Sequence, residues 1–144
     1  WQERYERDEN LARQALMLRD VDLLYTADAA ALLTHKPKFS ERKGRLGYYR
    51  KNGAALSVPG TEAHRYPSFQ FDTDAGDLSP LAITANRRLL DRNAGSEDER
   101  WAALSWWTSP QASLVGGASP RQALIDGTLT RAQLDALLEP LQDE

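Results

Sequence analysis

Residues 36–65 gather eight cations, Lys36, Lys38, Arg42, Lys43, Arg45, Arg50, Lys51 and Arg65, against two acids, Glu41 and Glu62. That is a local charge of +6 in a chain whose net charge is −3. Cations at this density replace condensed counterions on a nucleic-acid backbone, and an arginine fork can read guanine edges. Tyr48 and Tyr49 are interleaved with them, and His64 beside Arg65 extends the cluster. The residues expected to touch DNA are Arg42, Lys43, Arg45, Arg50, Lys51 and Arg65. The plainer reading is a solvated basic face, or one neutralised by the chain's own acids.

The remainder has the opposite character. Residues 66–144 hold twelve acids and six arginines, a balance of −6, together with Trp101, Trp106 and Trp107. Adjacent helical residues lie about 100° apart, so Trp106 and Trp107 do not share one stripe. Tryptophan is enriched at interface hot spots, which points to a protein partner. A core indole with a partly covered neighbour fits the same residues. Leu134, Leu137, Leu138 and Leu141 form a second apolar stripe, a helix-in-groove ligand or dimer contact or, more commonly, core packing.

Catalytic constellations are poor. His35 and His64 are the only histidines and stand outside any ligand spacing. No phosphate-cradling glycine loop or nucleophile elbow occurs. Asp72, Asp74 and Asp77 share a glycine-containing loop without the glutamate a calcium loop needs. There is no cysteine, which excludes disulfides and thiolate metal sites and fits a reducing compartment. No enzymatic activity, metal or cofactor is therefore expected. The longest apolar run, Ala29–Leu33, is far short of the ~20 residues a membrane span requires, and no secretory segment is visible. A cytoplasmic protein without membrane contact is the expectation. The chain opens on Trp1 rather than Met and so reads as a trimmed piece of a longer protein.

These surfaces need elements to hold them. At 144 residues the chain makes one domain or two small lobes. Leu11, Ala15 and Leu18 predict a narrow-striped, charged helix over 2–19, a lid or dimer strut. Thr26 reads as the N-cap of a helix through Leu33. A basic helix follows from Phe39 to Tyr49, weakened by Gly44 and Gly47 and ended by Asn52-Gly53. Leu56–Val58 and Ala63–Tyr66 flank Pro59-Gly60-Thr61 as a β-hairpin. That order is the order of a small winged helix. Beyond it, Ser79-Pro80, Ser109-Pro110 and Ser119-Pro120 are helix starts. Ser96/Glu99, Ser119/Gln122 and Thr130/Gln133 have capping-box spacing. Helices are expected near 80–91, 97–107, 110–114, 120–126 and 130–141. The fold class is mainly α, divided as 1–24, a winged-helix-like basic region at 25–72, and a compact helical lobe at 73–144.

A family pattern lies across these elements. Tyr66-Pro67-Ser68-Phe69-Gln70-Phe71-Asp72 precedes Pro80. Trp106-Trp107-Thr108-Ser109-Pro110, Leu114, Gly116-Gly117, Ser119-Pro120, Leu124 and Gly127 follow. The order resembles the toxin-binding domain of Xre/MbcA/ParS-type antitoxins from bacterial type II toxin–antitoxin modules, over about residues 50–140. The resemblance implies an antitoxin that occludes its cognate toxin's active site, often a RES-domain, NAD-consuming enzyme. It also implies an N-terminal helix-turn-helix on operator DNA, so that a homodimer represses its own operon. The residues expected to face the toxin are Trp106, Trp107, Leu129, Leu134, Leu137, Leu138 and Leu141. Two features depart from the pattern: the glycine-bearing basic helix looks winged rather than Xre-like, and residues 2–19 have no counterpart. The alternative is a stand-alone DNA-binding transcriptional regulator.

Overall fold

The computed structural model describes residues 21–58, 64–90 and 96–142, with side chains through Glu139. The helix expected over 2–19, the Pro59-Gly60-Thr61 turn, Gly95 and the Leu141 side chain lie outside them. The chain is mainly helical, with two short antiparallel strand pairs.

Strand β1 (Leu23–Tyr25) pairs with β2 (Arg65–Pro67), setting Tyr25 opposite Arg65 and Leu24 opposite Tyr66. No strand is expected at 23–25 from sequence, because three residues are too few to show an alternation. Val58 bridges Arg65, its N–H donating to the Arg65 carbonyl at 2.7 Å. The extended run at 56–58 is thus tied to β2 where the hairpin was expected.

Helix α1 spans Thr26–Ala31. Thr26 is its first helical residue rather than its cap: Tyr25 occupies the cap position, and no side chain bonds the free amides there. Helix α2 runs from Phe39 to Lys51, with Leu46 and Tyr49 as its buried residues. Its interior glycines, Gly44 and Gly47, face open space where a Cβ would stand. Each weakens the helix by about 1 kcal/mol relative to alanine, so packing and the Arg42 Nε–H···O=C Lys36 bond (2.7 Å) hold it. It stops where Asn52 Oδ1 accepts the Ala54 amide at 3.0 Å and Gly53 takes φ 82°.

A short 3-10 turn (Ser68–Gln70) leads into β3 (Phe71–Asp72), paired with β4 (Asp77–Leu78). Asp72 Oδ1 accepts the amides of Asp74 and Ala75, at 3.1 and 3.2 Å, which closes the turn between them.

Four helices complete the chain: α3 (Pro80–Leu89), α4 (Glu97–Thr108), α5 (Pro120–Asp126) and α6 (Arg131–Gln142). Helix α3 starts on Pro80 without a side-chain cap bond, and the other three follow capping chemistry. Ser96 Oγ accepts from the Glu99 amide, and Ser119 Oγ from the Gln122 amide. Thr130 and Gln133 form a reciprocal box, each side chain accepting the other's amide at 3.2 and 3.0 Å. No α-helix forms at 110–114. Leu114 is extended, and Gly116 and Gly117 have φ of 66° and 67°, so the stretch turns through a 3-10 segment at Val115–Gly117. So short a run cannot repay helix nucleation against two glycines that favour the left-handed region.

Two apolar cores result. One gathers Ala29, Ala30, Leu33, Leu46, Tyr49, Tyr66, Phe71 and Leu78 around α1 and α2. The other gathers Ala82, Ala85, Leu104, Trp107, Leu114, Leu134 and Leu138 within α3–α6, together with Val21, Leu56, Val58 and Phe69. The segments 54–58 and 66–71 feed both.

Candidate nucleic-acid and partner-binding surfaces

The basic segment is divided by the fold. Lys43, Arg45, Lys51 and Arg65 are exposed. Arg42 is half-buried and turned inward, its guanidinium bonding the carbonyls of Lys36 and, at 3.5 Å, Ala31. Arg50 is also half-buried. Among the described residues, none of the eight cations of 36–65 is in an ion pair with a carboxylate. Arg88–Asp135 and Arg131–Asp135 pair elsewhere, at 2.9 and 3.2 Å, and His35 Nε2 lies 4.0 Å from Asp77 Oδ2.

Aromatic rings orient the free cations. The Arg45 guanidinium sits 4.9 Å from the Tyr49 centroid and 5.5 Å from that of Tyr48, which is itself 57% exposed. Arg65 lies 5.0 Å over Tyr25 and donates to its hydroxyl at 3.2 Å. Lys43 stands 5.5 Å over Phe39. Such stacking favours the cation and narrows its rotamers while its N–H edges stay available. Sequence reading placed the tyrosines among the cations but missed Tyr25 and Phe39, because the strand pairing and helix turn that align them are not local in the chain.

Asp77 anchors this surface to the turn beneath it. Tyr49 donates to Asp77 Oδ1 at 2.8 Å, and His35 Nδ1 bonds the Gly76 carbonyl at 2.7 Å. Burial, then the bond to Asp77, raises the Tyr49 phenol above its ordinary pKa. The hydrogen bond from Arg45 to Tyr49 raises the guanidinium in turn. Gly76, at φ 69°, sits where a Cβ would collide with the Thr34 hydroxyl.

The acidic lobe meets the basic half through a buried polar network. Gln70 acts as a peptide unit: Oε1 accepts the Leu56 amide and Nε2 donates to the Leu56 carbonyl, both at 2.8 Å. Nε2 also donates to the Pro67 carbonyl at 3.1 Å. Asn86 Nδ2 donates to Gln70 Oε1 (3.1 Å) and to the Ala54 carbonyl (3.0 Å), and Asn86 Oδ1 accepts Trp107 Nε1–H at 2.9 Å. All three residues are enclosed. Their polar atoms are paired with one another, as low-dielectric surroundings require.

The residues expected to face a partner are therefore of two kinds. Trp107, Leu134 and Leu138 are fully buried and Leu129 nearly so; the chain presents none of them at its surface. Trp107 packs 5.1 Å from Phe69 and meets Trp106 edge-on at 5.0 Å. Trp106 and Leu137 are half-buried against the same core. Val115 and Ile125, which sequence reading did not single out, are the large apolar side chains that this lobe exposes among the described residues. No group of three His, Asp or Glu among the described residues is placed to hold a metal, and none of the described helices is long and apolar enough to cross a membrane.

Comparison with protein-family models, curated proteins and solved structures returns no match to this chain.

Proposed function

We propose that the chain is an antitoxin of the Xre/MbcA/ParS kind, which neutralises a cognate toxin by occluding its active site and represses its own operon. What carries the reading is the meeting of Gln70 and Trp107 at Asn86. The two stretches that bear the resemblance, Tyr66–Asp72 and Trp106–Gly127, are far apart in sequence. Their polar side chains meet in one buried network, and this proximity is the support the reading has.

On this reading the half-buried Trp106 and the segment after Gly127 are the parts of the acidic lobe that approach the toxin. Helix α2, with β2 and Val58 beside it as a wing, supplies the winged-helix-like DNA surface. Lys43, Arg45, Lys51 and Arg65 meet phosphate and base edges, in a homodimer that spans half-sites about one DNA turn apart. The glycines on α2 leave its backbone bare, so a groove wall can approach closely.

Co-expression of the full chain with the product of an adjacent toxin-sized reading frame is the deciding experiment. Restored growth and co-purification are expected. Failure of both removes neutralisation. If the chain nevertheless shifts its own promoter at low salt, the stand-alone DNA-binding regulator is the reading that remains, and the unpaired cations of α2 favour it.

A further inference from the structure

Tyr48 stands on the outer face of α2, 57% exposed, and the Arg45 guanidinium lies 5.5 Å from its ring centroid. That cation is held from behind. It also lies 4.9 Å from the Tyr49 ring, and Tyr49 donates to Asp77 Oδ1 at 2.8 Å. At about 100° per residue, Arg45 sits about 60° to one side of Tyr48 around the helix axis. Gly44, Lys51 and Gly47 sit about 40°, 60° and 100° to the other side, with Lys43 beyond them. A Cβ at Gly44 or Gly47 would meet no atom within 4 Å. One flank of the ring therefore opens over bare backbone, rimmed by Lys43 and Lys51.

Lys43, Arg45 and Lys51 are exposed, and among the described residues no carboxylate forms an ion pair with them. Their charge suits a polyanion, and three kinds compete for it. A duplex presents phosphates and base edges while its base faces stay stacked inside, so it leaves the Tyr48 ring unused. An acidic peptide pairs with the cations but brings no flat surface to the ring. An unpaired strand uses both. Its phosphates meet the cations, and every base has a face that stacks on an aromatic side chain. The guanidinium already beside the ring extends that platform.

We propose that this face of α2 binds single-stranded nucleic acid, with a base stacked on the open flank of Tyr48 and phosphates on Lys43 and Lys51. The proposal rests on the reading of α2 as a nucleic-acid surface, and it adds the form of strand that the surface takes. Arg45 then differs in duty from the lysines: it steadies the ring and widens the platform. Sequence preference at such a site is weak, since all bases offer a face.

Fluorescence anisotropy of the full chain tests this, with a labelled oligothymidylate of about 12 nucleotides and a duplex of equal length and arbitrary sequence. Tyr48→Ala should weaken binding of the single strand about 5- to 150-fold and of the duplex less than about twofold. Tyr48→Phe, which keeps the ring, should match the wild type. Gly44→Leu fills the open flank. It should weaken single-strand binding at least about fivefold while raising the urea midpoint, because leucine favours a helix over glycine; lost binding is then not lost folding. Equal effects of Tyr48→Ala on both forms of DNA, no effect on the single strand, or binding of the duplex alone would overturn the proposal and leave α2 a duplex surface. Polyglutamate bound as tightly as the single strand, with the same dependence on Tyr48, would overturn it in favour of an acidic peptide. No binding of either DNA at low salt removes the nucleic-acid reading of α2 itself, and this proposal with it.

Discussion

Replacing Asn86 by alanine should be among the most damaging single changes this fold can suffer, for reasons the surrounding atoms make explicit. The side chain is fully enclosed and makes three hydrogen bonds, to Trp107, Gln70 and Ala54. Its removal strands the Trp107 N–H and the Ala54 carbonyl, whereas Gln70 Oε1 keeps the Leu56 amide. Two buried orphans at about 1–3 kcal/mol each give about 2–6 kcal/mol, against a total stability of about 5–15 kcal/mol. Urea titration followed by circular dichroism measures the loss by linear extrapolation. A double-mutant cycle sharpens the test. Trp107→Phe removes the donor and strands Asn86 Oδ1, so once it is made, Asn86→Ala no longer orphans the indole. The double variant should be more stable than the sum of the singles implies by about 1–3 kcal/mol. Additivity within about 0.5 kcal/mol, or a loss below about 1 kcal/mol for Asn86→Ala, would refute the network as the joint between the halves.

Three further outcomes follow from local geometry. Gly76→Ala must place a Cβ at φ 69° against the Thr34 hydroxyl and should cost about 1–3 kcal/mol in the same urea assay; Thr34→Ala should relieve part of that loss, leaving the backbone strain. Lys51→Ala should flatten the slope of log K against log salt for operator binding by about 0.9 for each phosphate that the lysine neutralises. Arg42→Ala, whose guanidinium is bound to carbonyls of its own chain, should destabilise the fold more than it alters that slope; an unchanged slope for Lys51→Ala discards Lys51 as a phosphate ligand. Burial, then the charges of Arg50 and Arg100, lowers the native pKa of His64 below 6.5, so the unfolded chain binds the proton first as pH falls. Stability therefore rises with pH from the lowered native value up to about 6.5 and is flat above it. His64→Gln should flatten that rise in stability measured across about pH 5–7, and an identical profile would sink the assignment.

The capped helices were legible because their signals are local. Ser96, Ser119 and Thr130 each bond an amide three residues on, and a spacing of three is visible in any sequence. The basic helix was legible for a different reason, since Asn52-Gly53 ends it whatever packs against it. What the residues could not disclose depended on distant partners. Strand β1 exists because Tyr66 and Arg65 come to lie beside it, and nothing in Leu23–Tyr25 announces that. Trp107 and Leu134 look like partner-facing residues while only helical phase is considered. Trp107 is buried because Phe69 and Asn86 arrive from other parts of the chain, and Leu134 joins the same core. Arg42 and Lys43 are neighbours in one basic run, yet one is turned inward, by the carbonyls of Lys36 and Ala31, and the other outward.

The joint between the halves also constrains what a partner can do. Ala54 and Ala55 belong to the core around α2, whereas Leu56 and Val58, one and three residues later, belong to the core around α4. Tyr66 and Phe71 fall on the first side and Phe69 on the second. Separating the halves would pull a continuous backbone out of both cores and strand Asn86 Nδ2, which loses the Ala54 carbonyl and Gln70 Oε1 together. An apolar interface of the same area could slide; paired amides hold one register, because each displaced bond leaves an orphan in a low-dielectric interior. Bending the chain at residue 72 alone would therefore cost the two Asn86 bonds that join the halves.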